Sequence, residues 1–314
     1  MKLTVNYVSN IIKQALPEGS VIPVFDETGH HYKVMTPDKD GTVGNVYPSV
    51  TGKLQVIKDE SLAEYKKNRA LDYIFAHWNE FTQANIMEHL DKAGKEAQLN
   101  LEDAGDIGTI VHELREKYFK GWIAEHKAIS AVSCIPAGQE DVRVVSCLRA
   151  LDKFCLDYNY TPITCELYVY SHKLKVGGTL DDIGFTTRIT KEGNPNCEHD
   201  MIEEPKRNIR NCVKCGQRVK DELTLIDIKT SNAFKDHYFF QVGLYRYMFC
   251  KLTELKIARN LIVKLSKKDG TYGIEDLKQA GILGSYAKSI MRMNDGVTYV
   301  RKLRKDNQRS VVTL

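Results

Sequence analysis

Residues 174–189, LKVGGTLDDIGFTTRI, and residues 222–231, ELTLIDIKTS, decide how this chain reads. Both are rich in β-branched and apolar residues, and both place acidic side chains inside runs otherwise suited to burial. Charged groups near the end of a buried strand are costly unless paired or bound to a cation, so these strands mark a site as well as a fold. Asp227 and Lys229 stand two apart in the second strand, which sends both side chains off one face about 6–7 Å apart. Read alone, that pair also fits a structural salt bridge. In the first strand Gly177 and Gly178 permit close backbone approach, and Asp181 follows them. Asp181 and Asp227 on neighbouring strands would repel each other, and a hard divalent cation such as Mg²⁺ or Mn²⁺ is the economical remedy.

Working outward, ITCELYVYS (163–171) supplies a preceding strand that carries Glu166, and DHYFFQVGLYRYMFCKL (236–252) returns to helical spacing. With a helical stretch near 140–158 before them, the order predicts a mixed α/β core whose sheet packs against helices rather than an all-β barrel. A further helix is expected to start at Asp106, whose side chain can cap free amides, and to run to His126. Its apolar stripe is Ile107, Ile110, Val111, Leu114 and Tyr118. His112 falls about 140° from Ile107, outside that stripe, which fits either an exposed histidine or a ligand. Residues 61–93 lack Gly and Pro and predict one or two more helices, while residues 1–60 read as strand hairpins. The organisation expected is an N-terminal α/β extension over 1–104 and a core over 105–314 that ends in a basic segment, 251–314.

Composition bounds the function. The chain has 314 residues, 42% of them hydrophobic and 27% charged, which excludes disorder and fibre. No apolar run approaches the roughly 18 residues of a membrane helix, and Asn6, Ser9 and Asn10 break the opening segment, so a cytoplasmic protein without membrane partners is expected. Residues 251–314 carry 14 Lys and Arg against 6 Asp and Glu, which suits a polyanionic partner. The aromatic and basic run FKDHYFFQ (234–241) and the tail VRKLRKDNQR (300–309) could stack on and hold a single strand, although an aromatic run entering a helix also suits a core. Eight cysteines are too few for a disulfide scaffold, and Cys134, Cys147, Cys155, Cys165 and Cys250 read as buried thiols.

Taken in order, Gly108-x-x-x-His112, Gly178-x-x-Asp181, Asp227-x-Lys229 and Gln241-x-x-x-Tyr245 resemble the motifs of the RecB-type and phage exonuclease branch of the PD-(D/E)xK nuclease superfamily. Tyr47-Pro-Ser-Val-Thr51, followed by a helix with Trp78, is similar to the start of many phage members. The resemblance covers 105–250 well and 45–105 loosely. It implies a restriction-endonuclease-like fold and a Mg²⁺- or Mn²⁺-dependent deoxyribonuclease, with His112, Asp181, Asp227 and the carbonyl of Ile228 as metal ligands. Lys229 would orient or deprotonate the attacking water, and Gln241 and Tyr245 would position phosphate or the lysine face. Glu166 would be a second-metal carboxylate or a structural one. The implied partners are DNA, single-stranded or with a free end, and recombination or replication proteins; a phage-encoded member would act in the host cytoplasm. An exonuclease for replication, recombination or repair leads, with a structure-specific endonuclease or a non-catalytic zinc-containing DNA-binding module as alternatives.

Residues 190–221 lie between the two acidic strands, where the family needs only a short hairpin. They contain Cys197-x-His199-x₁₂-Cys212-x₂-Cys215. A C-x-x-C turn backed by Gly216 is a strong half-site for tetrahedral Zn²⁺, and the C-x-H pair offers two more ligands. The iron–sulfur clusters of some relatives use one cysteine before the core and three after Gln-x-x-x-Tyr, where only Cys250 lies here. The segment is too polar to bury a core of its own, so metal would supply its folding free energy.

Overall fold

The computed structural model describes residues 3–26, 29–38, 41–54, 57, 60–138, 140–204 and 208–311. A helix, α1 (Val5–Ala15), precedes a three-stranded antiparallel sheet of β1 (Val21–Asp26), β2 (Gly29–Asp38) and β3 (Gly41–Pro48). Helices α2 (Val50–Leu54), α3 (Glu60–Ala76), α4 (Ile86–Glu125) and α5 (Val142–Asp157) follow. The main sheet then forms from β4 (Thr161–Ser171), β5 (Val176–Lys191), the short pair β6 (Met201–Glu204) and β7 (Ile209–Cys212), and β8 (Arg218–Lys229). Helix α6 (Asp236–Thr253) crosses to β9 (Arg259–Leu265), β10 (Tyr272–Asp276) turns back beside it, and α7 (Ala280–Val311) closes the described chain. The mixed sheet flanked by helices agrees with the α/β expectation.

The main sheet runs β10-β9-β8-β5-β4, with β6 and β7 branching from the outer part of β8. Among the described strands of this sheet only β8 and β9 pair in parallel, because α6 carries the chain over the sheet between them. The apolar run LTLIDI in β8 follows from burial on both faces. Leu223 and Leu225 pack with Val242, Leu244, Met248 and Phe249 of α6 on one side, whereas Ile226 and Ile228 pack with Ile107 and Val111 of α4 and Leu148 and Leu151 of α5 on the other. Each fully buried aliphatic side chain of this kind contributes about 1.5–3 kcal/mol.

Several expectations change. Asp106 caps nothing, since α4 begins at Ile86 and runs through 40 residues. Its first half is dense in Ala, Leu, Glu and Lys, and these helix formers outweigh Gly94 and Gly105. Residue 104, the expected boundary, therefore lies within one helix, and Val8, Ile12, Val50 and Leu54 share a hydrophobic cluster with β4, β5 and α6. Ile110, expected on the apolar stripe, is exposed. Helices α1 and α7 and strands β9 and β10 had no counterpart in the sequence reading. The backbone of 300–309 lies in α7, and the side chains of that basic run fall outside the described residues. No described helix is long and apolar enough to cross a membrane.

The two glycines of β5 seat the rest of the fold on it. A Cβ on Gly177 would fall 2.6 Å from Tyr32 of β2, and one on Gly178 would fall 2.5 Å from the Tyr245 ring of α6. Tyr32 also meets Thr179 through a 2.8 Å hydroxyl hydrogen bond. Gly178→Ala is expected to lower stability by about 1–3 kcal/mol through overpacking. A urea unfolding midpoint equal to that of wild type would contradict this packing.

Candidate functional site

Strand register gathers the acidic groups. Asp182 of β5 pairs with Cys165 of β4 and with Ile226 of β8, and Leu180 pairs with Leu167. Asp181 therefore sits across from Glu166 on one side and beside Asp227 on the other. Helix α4 lays His112 over this row, its Nδ1 4.0 Å from Asp181 Oδ1. The ligand atoms of His112, Glu166 and Asp181 all lie within 4.8 Å of one another, close enough to hold a metal ion. Asp227 stands outside that trio and is joined to Lys229, whose ammonium is 2.8 Å from its Oδ2. That contact has ion-pair length but poor hydrogen-bond geometry, so neither Asp227 oxygen has a well-formed donor among the described residues.

Ile228 takes part through its backbone. Its N–H donates to Asp181 Oδ2 at 2.6 Å, and its carbonyl faces the His112 ring as a hydrogen-bond acceptor. Gln241 donates to the Tyr245 hydroxyl at 3.0 Å. Both are buried, and Tyr245 lies under β5 in the space that Gly178 leaves.

Two further residues escaped the sequence reading. Arg115, fully buried, donates to Asp182 Oδ2 at 2.5 Å and to Glu166, so one guanidinium ties α4 to β4 and β5. Its signal was its place three residues after His112, one helical turn along the same face. Asp182 was visible as the second acid of the Asp181-Asp182 pair inside an apolar strand, where an unpaired charge would not be tolerated.

Electrostatics here are dominated by desolvation. Burial raises Asp227 to about 6, with Lys229 opposing the rise and Asp181 adding to it. Burial likewise brings Glu166 and Asp182 up to about 7 against the pull of Arg115. Asp181 goes the other way: burial penalises its charge, but Arg115, His112, Lys229 and the Ile228 N–H outweigh that and lower it. Lys229 is held above its ordinary value, because Asp227 and Asp181 outweigh the cost of burying it. Burial pulls His112 down to about 4, with Asp181 opposing, even though a third of its side chain reaches the surface. Near neutral pH the four acids, with Glu166 and Asp182 partly protonated, thus face two lasting cations, Arg115 and Lys229. Acids whose folded values are raised oppose folding as pH climbs from about 4, where they titrate when unfolded, through their folded range. A divalent cation would remove that opposition.

Beside the cluster lies a groove of about 440 Å³ that shares His112 and Lys229 with it. Gly108 opens it by close approach, since a Cβ there would fall 3.1 Å from the Thr230 hydroxyl.

The cysteine segment forms a second, separate cluster. Cys197 Sγ is 3.8 Å from Cys212 Sγ, and His199 Nδ1 is 3.3 Å from Cys215 Sγ. All four ligand atoms lie within 4.8 Å of one another and could hold a metal such as zinc. A sulfur separation of 3.8 Å is far beyond the ~2.05 Å of a disulfide and is the edge of a tetrahedron centred about 2.3 Å from each sulfur. The turn is closed by Gly216, at φ +71°, whose N–H donates to the Cys212 carbonyl at 2.9 Å. Burial would raise the Cys212 thiol, but N–H groups of Cys215, Asp200 and Lys214 and the His199 ring bring it down to about 6, favouring the thiolate a metal needs.

No protein-family model matches this chain, and no curated protein matches it by sequence.

Metal analysis of the purified protein is expected to find one zinc per chain. Cys212→Ser and Cys215→Ser are each expected to release it and to speed hydrogen exchange across 190–221. Metal-free wild type with the same exchange rates would remove the assignment.

Proposed function

We propose that the protein is a Mg²⁺- or Mn²⁺-dependent DNA exonuclease built on a restriction-endonuclease-like core, with a structural zinc in its 190–221 insertion. The observation that carries this reading is the convergence of His112, Glu166 and Asp181 on one end of the sheet, with Asp227 and Lys229 alongside and more acids than lasting cations. Oxygen donors in that excess suit a hard divalent cation, and Asp227 Oδ1, which has no donor among the described residues, is placed to serve it while Oδ2 meets Lys229. The order helix, three antiparallel strands, crossover helix, parallel strand supports the same core, as do the four ordered motifs.

A cation held there would neutralise charge on the scissile phosphate and lower the pKa of a bound water. His112, Glu166, Asp181 and Asp227 would hold it, with the Ile228 carbonyl within reach. Lys229, being raised rather than lowered, stays an ammonium, so its work is to orient the water and offset charge at phosphorus rather than to remove a proton. Asp227 keeps that ammonium in place. Gln241 and Tyr245 act from beneath, fixing the strand that bears Asp181. Arg115 fixes Glu166 and neutralises Asp182.

The test incubates end-labelled linear DNA and closed circles with the purified protein and Mg²⁺ or Mn²⁺. Degradation of linear DNA alone is expected, and chelation should stop it. Asp181→Ala, Asp227→Ala and Lys229→Ala should each cut the rate about a hundredfold or more while folding as wild type. Cutting of circles would replace the exonuclease by an endonuclease, and tight binding without cleavage would leave a non-catalytic DNA-binding module.

A further inference from the structure

At the start of α7 a separate pocket of about 240 Å³ opens between that helix, α6 and the first residues of β9. It lies toward the beginning of β8 and β9, which run in parallel, and so away from Asp227 and Lys229 at the end of β8. Its two acids are both engaged. Glu222, buried, meets Arg188 at 2.8 Å and Lys220 at 3.2 Å, and Asp276 meets Arg259 at 2.9 Å. Arg246 of α6 and Lys278 line the same pocket, and neither has an acidic partner among the described residues. Glu254, exposed, lines an adjoining recess with Arg246 but makes no ion pair with it.

The crossing of α6 and α7 sharpens this imbalance. The two helices meet at Gly243 and Gly284, where a Cβ on Gly243 would fall 2.6 Å from the Gly284 nitrogen. That approach brings the first turn of α7 against the half-buried Arg246, so that a Cβ on Gly281 would lie 3.4 Å from a guanidinium nitrogen. The turn holds no acidic residue, and the Gly281 N–H has no backbone acceptor among the described residues. A helix N-terminus carries roughly half a positive charge, so it and the guanidinium repel each other unless an anion joins them. Asn260 supplies an independent sign of a ligand. It is 5% exposed, it lines the pocket, and its Oδ1 has no donor among the described residues. An unpaired buried acceptor costs free energy that a bound donor would return. Cations and a free N–H call for an anion, and the amide oxygen calls for one that still carries a proton. Hydrogen phosphate is a dianion with an O–H. Sulfate has none, and a phosphate monoester loses its last proton with a pKa of about 6.

We propose that this pocket binds one free hydrogen phosphate ion, its oxygens against Arg246, Lys278 and the Gly281 N–H, and its O–H donating to Asn260 Oδ1. The ion would fasten the start of α7 to α6. The site uses none of the residues that would hold a metal, so it stands whether or not the chain cleaves DNA.

Equilibrium dialysis of the zinc-loaded full chain against radiolabelled phosphate, at about pH 8 where a monoester has lost its last proton and without added Mg²⁺ or Mn²⁺, tests this. Saturable binding of one phosphate per chain is expected. An equal concentration of sulfate or of thymidine monophosphate should displace little of it, because neither can donate to Asn260. Arg246→Met, which keeps the length of the side chain and removes its charge, should weaken binding about tenfold or more. Gly281→Asp puts a carboxylate beside Arg246 in the first turn, where a helix favours one, so it should abolish phosphate binding while the melting temperature holds or rises. Absence of saturable binding, displacement by sulfate or the monoester as effective as by unlabelled phosphate, or wild-type affinity in either variant would overturn the proposal.

Discussion

Four acidic side chains, two of them fully buried, gathered against two cations are the constraint around which the molecule is arranged. An ion removed from water costs several kcal/mol unless opposite charge and hydrogen bonds offset it. Arg115 does this for Asp182 and Glu166, and Lys229 does it for Asp227. Asp181 accepts one backbone N–H and lies in the fields of Arg115 and Lys229, beside a histidine that burial keeps neutral. The framework follows from delivering these groups to one place. A single 40-residue helix brings His112 and Arg115 one turn apart, while β5 brings Asp181 and Asp182 side by side. Without a cation such a cluster works against folding, and fixed sites of that kind are commonly functional.

Much of this was legible in the sequence because the signals were local. Asp227 and Lys229 stood out in an apolar strand, Gly178 and Asp181 in another, and the four residues of the insertion that could hold a metal declared themselves by spacing. The β4, β5, β8 and α6 segments carried clear periodicity. What stayed hidden depended on distance in space. Arg115 looks like any charged residue of an amphipathic helix until β4 and β5 close over it. Glu166 could not be assigned because its role depends on register with Asp181, and its left-handed backbone (φ +50°) has no signature in a run of strand formers. The full length of α4 was obscured by Gly94 and Gly105, which mark turns elsewhere. The aromatic run 234–241 divides its work: Phe239 and Phe240 pack on the core, while Lys235 and Tyr238 reach the groove.

The two candidate metal clusters differ in hardness and in purpose. Sulfur and imidazole at 197–215 suit a soft, closed, tetrahedral site that organises a polar segment with little core. Its β6–β7 hairpin is tied to β8 by backbone pairing and to the N terminus by Asn208, which both donates to and accepts from the Leu3 backbone. The oxygen-rich cluster instead opens beside a groove, where an ion would face a ligand. Sequence distance between the two sets is short, but the chemistry of their ligand atoms differs.

The most direct test of the account is calorimetric titration of the zinc-loaded protein with Mn²⁺ in the absence of nucleic acid. Saturable binding is predicted for wild type, with little or none for Asp181→Asn, a variant that keeps the shape of the side chain and removes its charge. A wild type that gives no binding heat, or an Asp181→Asn protein that binds Mn²⁺ equally well, would contradict the claim that these carboxylates are gathered to hold a cation.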